Sequence, residues 1–337
     1  MVEDYISTER LDIYSKILKV DEKDKQYCYQ WNKELTASIV PLLQCLEVSL
    51  RNSINNAIKN HPPTGCGGLY RTDSQWIYEL PRYLGDKTYI RQNKRYQKDS
   101  AGNIILDKNG KVKYKNMIWE EKEVKKTVQR ILKSGKSLTP ERVISEMTFG
   151  FWVCLLGNNY NEPRNKTLLW PELTNEVFPD LPSGLNISDV EKRIKKINEF
   201  RNRVSHHEAV WKFHYETNGI TDYSKPVYGI NASLNLLKKT YEDILEVLGW
   251  ISHERRDMFI NEGHDKRFYS LCSHDGFYSF VNQDKIKPSI NIKKIHMESA
   301  KLIRLIRSNK IYKIVDGHTD FGVFGPDFSK RKNGMDV

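Results

Sequence analysis

No apolar run in this sequence approaches the roughly 20 residues that a membrane-spanning helix needs, so we expect no membrane partner. The N-terminus, MVEDYISTER, has neither the basic start nor the apolar core of a secretory signal. Cysteine is scarce, since the five residues are scattered and none forms a C-x-x-C pair. This usage is typical of free thiols in a reducing compartment. Together these absences predict a cytoplasmic protein.

The sequence also lacks the motifs of common cofactors and metals. No P-loop or dinucleotide-binding glycine pattern is present, because the GCGG run at 65–68 follows a predicted helix rather than a strand. Although His206, His207 and Glu208 are adjacent, no H-E-x-x-H or C-x-x-C pairing supports a zinc site. We therefore expect neither a cofactor nor a metal ion.

Acidic residues are in deficit, with 43 Asp and Glu against 54 Lys and Arg, which gives a net charge of +11. Such a balance indicates a polyanionic partner, nucleic acid first. More than half of the excess lies in residues 86–115, where nine Lys or Arg face three Asp and three tyrosines are interleaved. Within this block Asn109-Gly110 predicts a hairpin turn, so we interpret it as an exposed basic insertion. The predicted RNA contacts are Arg91, Lys94, Arg95, Lys98, Lys111 and Lys113. The alternative is a solvated basic surface.

Helical spacing of apolar residues dominates the first 255 residues and predicts an all-α bundle. Residues 26–60 form a long helix or a kinked pair, with Pro41 as the expected kink. A further helix is predicted to begin with Thr139 as N-cap and Pro140 at its first position. Over residues 147–156 this helix is apolar nearly all round, so it should be the central buried one. Three stretches beyond residue 255 are typical of short strands: GFYSFV, the run around Ile292, and KIYKIVD to GVFG. The stretch ESAKLIRLIRSN is typical of a basic helix. We predict two domains, 1–255 with the insertion at 86–115, and a small α+β appendage at 256–337.

The stretch SDVEKRIKKINEFRNRVSHHEAVW, residues 188–211, carries the clearest chemical signal. Ser188 and Glu191 have the spacing of a capping box. Arg201 and Glu208 fall on the apolar face of this helix, which is formed by Val190, Ile194, Ile197 and Val204. Because an unpaired buried charge costs several kcal/mol, Arg201 needs a partner or a function. An ion pair with Glu208 is the plain alternative.

Arg201-Asn202-x-x-x-His206 resembles the R-x(4–6)-H motif of HEPN ribonucleases. The longer run FRNRVSHHE resembles the Abi-like (AbiD/AbiF) branch of abortive-infection proteins. Two further stretches are similar to the same family: WNKELTASIVPLLQCLEVSLRNSI near the N-terminus and ISEMTFGFWVCLL in the middle of the chain. The resemblance covers about residues 5 to 250 and implies a HEPN-like helical bundle.

The resemblance implies a catalytic set of Arg201, Asn202 and His206, with His207 as the other candidate base because it satisfies R-x5-H. On an ideal helix Arg201 and His206 are about 140° apart at about 100° per residue. Either the helix ends or distorts near Val204, or two copies face each other across a two-fold axis, as HEPN nucleases do. For His206 and for His207, the alternative is a histidine that only stabilises the fold.

Three residues are predicted to support this set: Glu47 and Arg51, which share a helical face, and Glu208. The resemblance places the helix of Glu47 and Arg51 against the motif helix, and an ordinary intrahelical ion pair is the alternative for these two.

The implied activity is that of a metal-independent RNA endonuclease toxin in bacterial antiphage defence, which leaves 2′,3′-cyclic phosphate ends. An antitoxin protein or a small structured RNA is expected to hold it inactive, and the basic insertion favours RNA. A homodimer is expected. A non-catalytic RNA-binding module with the same bundle is the main alternative, and a protein-interaction scaffold with a degenerate motif is the third interpretation.

Overall fold

Helices make up most of the described chain, which confirms the prediction of a mainly helical protein. The computed structural model describes residues 5–63, 74–83, 99–106, 108–110, 119–164, 168–286, 289–291, 310–316 and 319–324. Its helices are α1 (Thr8–Ile13), α2 (Lys25–Asn60), α3 (Trp119–Lys133), α4 (Pro140–Glu146), α5 (Phe149–Cys154), α6 (Thr174–Val177), α7 (Ile187–Ser205), α8 (Ile230–Ile251), α9 (His253–Asn261), α10 (His264–Leu271) and α11 (His274–Val281). Within these ranges no helix is long and apolar enough to cross a membrane.

Strands form two small sheets. β1 (His214–Thr217) and β2 (Ile220–Pro226) make an antiparallel hairpin directly after the motif stretch. Near the C-terminus, β3 (Ser289–Asn291) pairs in parallel with β4 (Tyr312–Asp316), which pairs antiparallel with β5 (Thr319–Phe324). The strands predicted around residue 292 and from KIYKIVD to GVFG are thus confirmed. The basic helix predicted at ESAKLIRLIRSN lies outside the described residues.

The chain divides into two compact units. The first comprises Met1–Gln44, Glu199–Glu246 and Glu254–Val337, and the second comprises Cys45–Asn198 and Val247–His253. The predicted division at residue 255 stays a prediction.

Aromatic side chains form the core of the first unit. The fully buried Trp31 of α2 donates its indole N–H to the Leu271 carbonyl at 3.0 Å. Phe268 stacks on Tyr241 with ring centroids 3.7 Å apart, and the Tyr14 ring contacts buried Trp211 at 5.2 Å. These contacts tie segments that are far apart in sequence into one core, because large rings bury much apolar area each.

Helix α2 passes through Pro41 without interruption, so the long-helix alternative is the one found. The helix predicted to run from Thr139-Pro140 to residue 156 is instead broken at Met147 and Thr148, where the backbone is extended between α4 and α5. The strand predicted at GFYSFV is wrong: these residues lie in α11, where Ser273 accepts the Gly276 N–H at 2.9 Å as the N-cap. A run of six residues is too short for periodicity to separate a strand from a helix.

The motif helix α7 starts one residue before the predicted cap. Asn186 caps it by accepting the Ser188 N–H at 2.9 Å, and Asp189 accepts the Asn186 N–H at 3.1 Å in return. The capping box predicted at Ser188 and Glu191 is therefore wrong, and Glu191 instead pairs with Lys195 at 2.6 Å. The predicted apolar face is confirmed, since Val190, Ile194, Ile197 and Val204 are all buried.

Candidate active site

The C-terminal end of α7 carries the residues that the sequence singles out. Arg201 and Asn202 lie in the last two turns of the helix, which ends at Ser205. His206 follows, and its backbone N–H still donates to the Asn202 carbonyl at 2.9 Å. The helix ends close to Val204, but this bond keeps His206 on the helical path, so both explanations for the 140° separation stay predictions.

His207 closes the helix in a left-handed conformation, with a φ of 56°. Its N–H donates to the Val204 carbonyl at 3.1 Å, and the Glu208 N–H donates to the Arg203 carbonyl at 3.0 Å. This pair of bonds is the Schellman cap, whose left-handed position is usually glycine. A histidine held there carries backbone strain of about 1 kcal/mol. Because strained residues cluster at functional sites, the exposed side chain of His207 is a candidate for a functional role.

The polar side chains at the helix end face solvent. Asn202, His206, His207 and Glu208 are exposed, and Arg201 is half-buried beside the apolar face. These four polar side chains are therefore accessible to a ligand that approaches from solvent.

Arg203, which the sequence did not single out, holds the segment after the histidines. Its Nη2 donates to the Ala209 carbonyl at 2.7 Å and to the Lys212 carbonyl at 2.5 Å. Its Nε lies 3.6 Å from Glu208 Oε2, and its guanidinium lies over the Phe213 ring at 5.5 Å. Burial lowers the pKa of Arg203 from its usual value, and the carboxylate opposes that shift. Glu208 thus forms an ion pair with Arg203.

Asn32 fixes the same segment from α2. Its buried amide donates from Nδ2 to the Glu208 carbonyl at 3.3 Å and accepts the Val210 N–H on Oδ1 at 3.1 Å. Asn32 belongs to the stretch WNKELTASIVPLLQCLEVSLRNSI that carried part of the resemblance, so this residue has a structural role in shaping the turn.

A cleft of about 290 Å³ lies beside this turn, entirely within the first unit. The turn forms one wall, and α1 with the start of α2 forms the other. Its lining residues are Glu9, Arg10, Ile13, Tyr14, Tyr29, His207, Glu208, Ala209 and Lys212. Burial raises the pKa of the Tyr14 hydroxyl well above its usual range, so this phenol stays neutral at physiological pH.

Of the predicted site residues, His207 and Glu208 line this cleft, whereas Arg201, Asn202 and His206 are outside its lining. No sequence signal pointed to Arg10 or Tyr29, because their place in the cleft depends on how distant segments pack.

The other predicted residues are placed as follows. Glu47 and Arg51 lie on α2 in the second unit, where Arg51 is half-buried and donates to the Ser145 carbonyl at 3.4 Å. Their supporting role stays a prediction. In the basic insertion, Gly110 has a φ of 75°, as a turn there requires. The six predicted RNA contacts lie outside the described residues: Arg91, Lys94, Arg95, Lys98, Lys111 and Lys113.

Across the described ranges, no group of three or more His, Cys, Asp or Glu side chains is arranged to hold a metal ion. The arrangement at the end of α7 instead offers an imidazole, an amide and a guanidinium, groups that can move a proton and bind a phosphate.

The model of a family described as Abi-like protein matches residues 4–212, which is more than half of the chain. The match includes α1, all of α7 and the turn at His206 and His207, and it reaches Lys212 at the edge of the cleft. Comparisons with curated proteins and with solved structures found no match.

Proposed function

The chain belongs to the Abi-like family, and on that premise we propose that it is a metal-independent RNA endonuclease acting in abortive infection. The family supports the link to abortive infection. The nuclease activity and the placement in the HEPN superfamily are proposals that rest on the residues at the end of α7.

One observation carries the proposal. Asn202 and His206 are exposed one helical turn apart at the end of α7, beside half-buried Arg201 and the strained His207. An imidazole has a usual pKa near neutrality, so it can both take and give a proton under cellular conditions. A guanidinium and an amide can bind the phosphate and the charge that develops on it.

In the proposed reaction, the ribose 2′-oxygen attacks the adjacent phosphorus while an imidazole takes the 2′-hydroxyl proton. The bond from phosphorus to the 5′-oxygen breaks, and that oxygen receives a proton. The products are a 2′,3′-cyclic phosphate and a 5′-hydroxyl. We assign the acid-base role to His206, with His207 as the other candidate. DNA lacks the attacking hydroxyl and should not be cut.

We also propose that the protein works as a two-fold homodimer, in which the ends of the two α7 helices face one RNA strand. A toxin of this kind needs an inhibitor, and an antitoxin RNA or protein is the partner proposed. The net charge of +11 supports an RNA inhibitor.

The same charge supports the second candidate function, a non-catalytic RNA-binding module. Such a module would bind RNA through its basic surface and would leave the strand intact. The two candidates differ in one observable, the integrity of the RNA.

The experiment compares growth and RNA integrity in cells that express the wild type, His206→Ala or His207→Ala. The catalytic histidine should lose on the order of 10² or more in cleavage rate when it is replaced. His264→Ala is the matched control, because His264 is also exposed but lies on α10. Full cleavage by both motif variants would refute the nuclease assignment, and complete loss of wild-type cleavage in EDTA would refute its metal independence.

A further inference from the structure

The cleft beside the motif turn is placed to take part of a substrate. His207 and Glu208 of the turn form its edge, directly after the proposed catalytic His206. When an RNA strand binds with one phosphate at His206, its neighbouring nucleotide is therefore within reach of this cleft.

The size of the cleft limits what it can hold. Its volume of about 290 Å³ is at the lower end of the range of about 300–1,000 Å³ that is usual for small-molecule sites. Such a space suits a single flat ring system with its attached sugar, and it is too small for a folded partner.

Part of the lining of the cleft is apolar or aromatic. Ile13, Tyr14 and Ala209 supply apolar surface, and Tyr29 adds a half-buried aromatic ring. A nucleobase is recognised by surfaces of this kind, because every base has a flat face that stacks on an aromatic side chain.

Charge at the rim fits a phosphate. Arg10 and Lys212 provide two cations, and Glu9 and Glu208 provide two carboxylates. The Glu208 carboxylate is already opposed by Arg203, whose Nε is 3.6 Å away. With that carboxylate opposed, Arg10 and Lys212 face only the carboxylate of Glu9, so the remaining charge is positive.

We propose that this cleft is a nucleotide-binding subsite of the RNA endonuclease, in which Tyr29 stacks on the base next to the scissile phosphate and Arg10 and Lys212 bind a flanking phosphate. This inference rests on the proposed function. It adds substrate-binding residues from α1 and α2 to the chemistry at the end of α7.

Two variants test the subsite, each with a matched control. Tyr29→Leu keeps apolar bulk but removes the ring, and Tyr27→Leu does the same at an exposed tyrosine outside the cleft. Arg10→Gln removes an exposed cation, and Lys23→Gln removes an exposed cation elsewhere. Because Arg10 is exposed, its variant should fold even if Tyr29→Leu does not.

The first measurement is calorimetric titration of the full chain with the four ribonucleoside 3′-monophosphates. We expect binding that weakens roughly tenfold in Tyr29→Leu, weakens in Arg10→Gln, and is unchanged in both controls. The second measurement is cleavage of a short RNA, where the KM should rise about as much and kcat should stay within about twofold, as for a group that binds without reacting. Equal binding and equal KM in wild type and both cleft variants would overturn the subsite.

The two proposals fail in different ways. If the wild type binds the monophosphates through Tyr29 and Arg10 but cuts no RNA, the nuclease assignment fails and the subsite stands as a nucleotide site. If the wild type cuts RNA through His206 or His207 while the cleft variants behave like the controls, the subsite alone fails.

Discussion

Replacing His207 with glycine should stabilise the protein and weaken its activity at the same time. The substitution leaves both backbone hydrogen bonds of the cap in place, because the donors at residues 207 and 208 are main-chain N–H groups. It removes only the side chain of a residue whose φ is 56°.

Two opposing effects set the magnitude. A side chain in the left-handed region costs about 1–2 kcal/mol relative to an ordinary conformation, and glycine does not have this cost. Against this, glycine increases the entropy of the unfolded chain, which costs about 0.5–1 kcal/mol. The net rise in the free energy of unfolding should therefore lie between about 0 and 1.5 kcal/mol, and the middle of that range shifts the thermal midpoint by roughly 1–3 °C in a chain of this size.

The assay is thermal and urea unfolding of the wild type, His207→Gly, His207→Ala and His206→Gly. Alanine keeps the strain and should be no more stable than the wild type. His206 has no positive φ, so glycine there should destabilise the protein. A His207→Gly protein that is less stable than His207→Ala would refute the strain argument, and full RNA cleavage by it would show that the left-handed histidine serves no catalytic or binding purpose.

Three further predictions follow from the same turn and from the charge of the chain. Arg203→Met should lower the free energy of unfolding by roughly 2–3 kcal/mol, because the charged donor to two backbone carbonyls is lost while a side chain of similar length remains. Urea unfolding measures this change, and an unchanged midpoint would contradict the role of Arg203 in holding the turn. Light scattering should show a dimer, and a strict monomer that still cuts RNA would leave the helix end alone as the explanation for the motif geometry. Replacing Arg91, Lys94, Arg95 and Lys98 by Ser should weaken RNA binding and flatten its dependence on salt, since fewer counterions are released; affinity at two salt concentrations tests this, and an unchanged slope would mean that the block is only surface.

The helix-rich character and the motif helix could be predicted because they depend on local spacing. The four apolar residues of α7 are buried as their period requires. Thr139 caps α4 with proline in the first turn, as the Thr-Pro pair predicts, by accepting the Arg142 N–H at 3.2 Å.

The hairpin of β1 and β2 was missed although its signal is local. Asn218 and Gly219 both have positive φ, 54° and 80°, as the two central residues of a type I′ turn require. The same Asn-Gly pair predicts the turn at residues 109–110. The pair at 218–219 therefore carries an equal signal for a hairpin.

The shape of the candidate site could not be predicted, because it depends on contacts between distant segments. Asn32 bonds to residues 176 and 178 positions later, and the cleft joins residues 9–29 to residues 207–212. A single sequence gives the chemistry of such residues but not their proximity. The motif could thus be identified, whereas Arg203, Tyr29 and Arg10 could not.

The long spacing of these contacts also bears on how the protein is made. Trp31 donates to the carbonyl of Leu271, 240 residues later, and a ribosome needs roughly 12–48 s to add that many residues. During this interval the start of α2 has been synthesised while its partners do not yet exist. The turn at His206 and His207 is held by Asn32 through residues 208 and 210 and by Arg203 through residues 209 and 212, so it is completed only after residue 212 has emerged. For the toxin proposed above, this order of synthesis would leave an interval in which the proposed inhibitor can bind before the proposed active site is assembled.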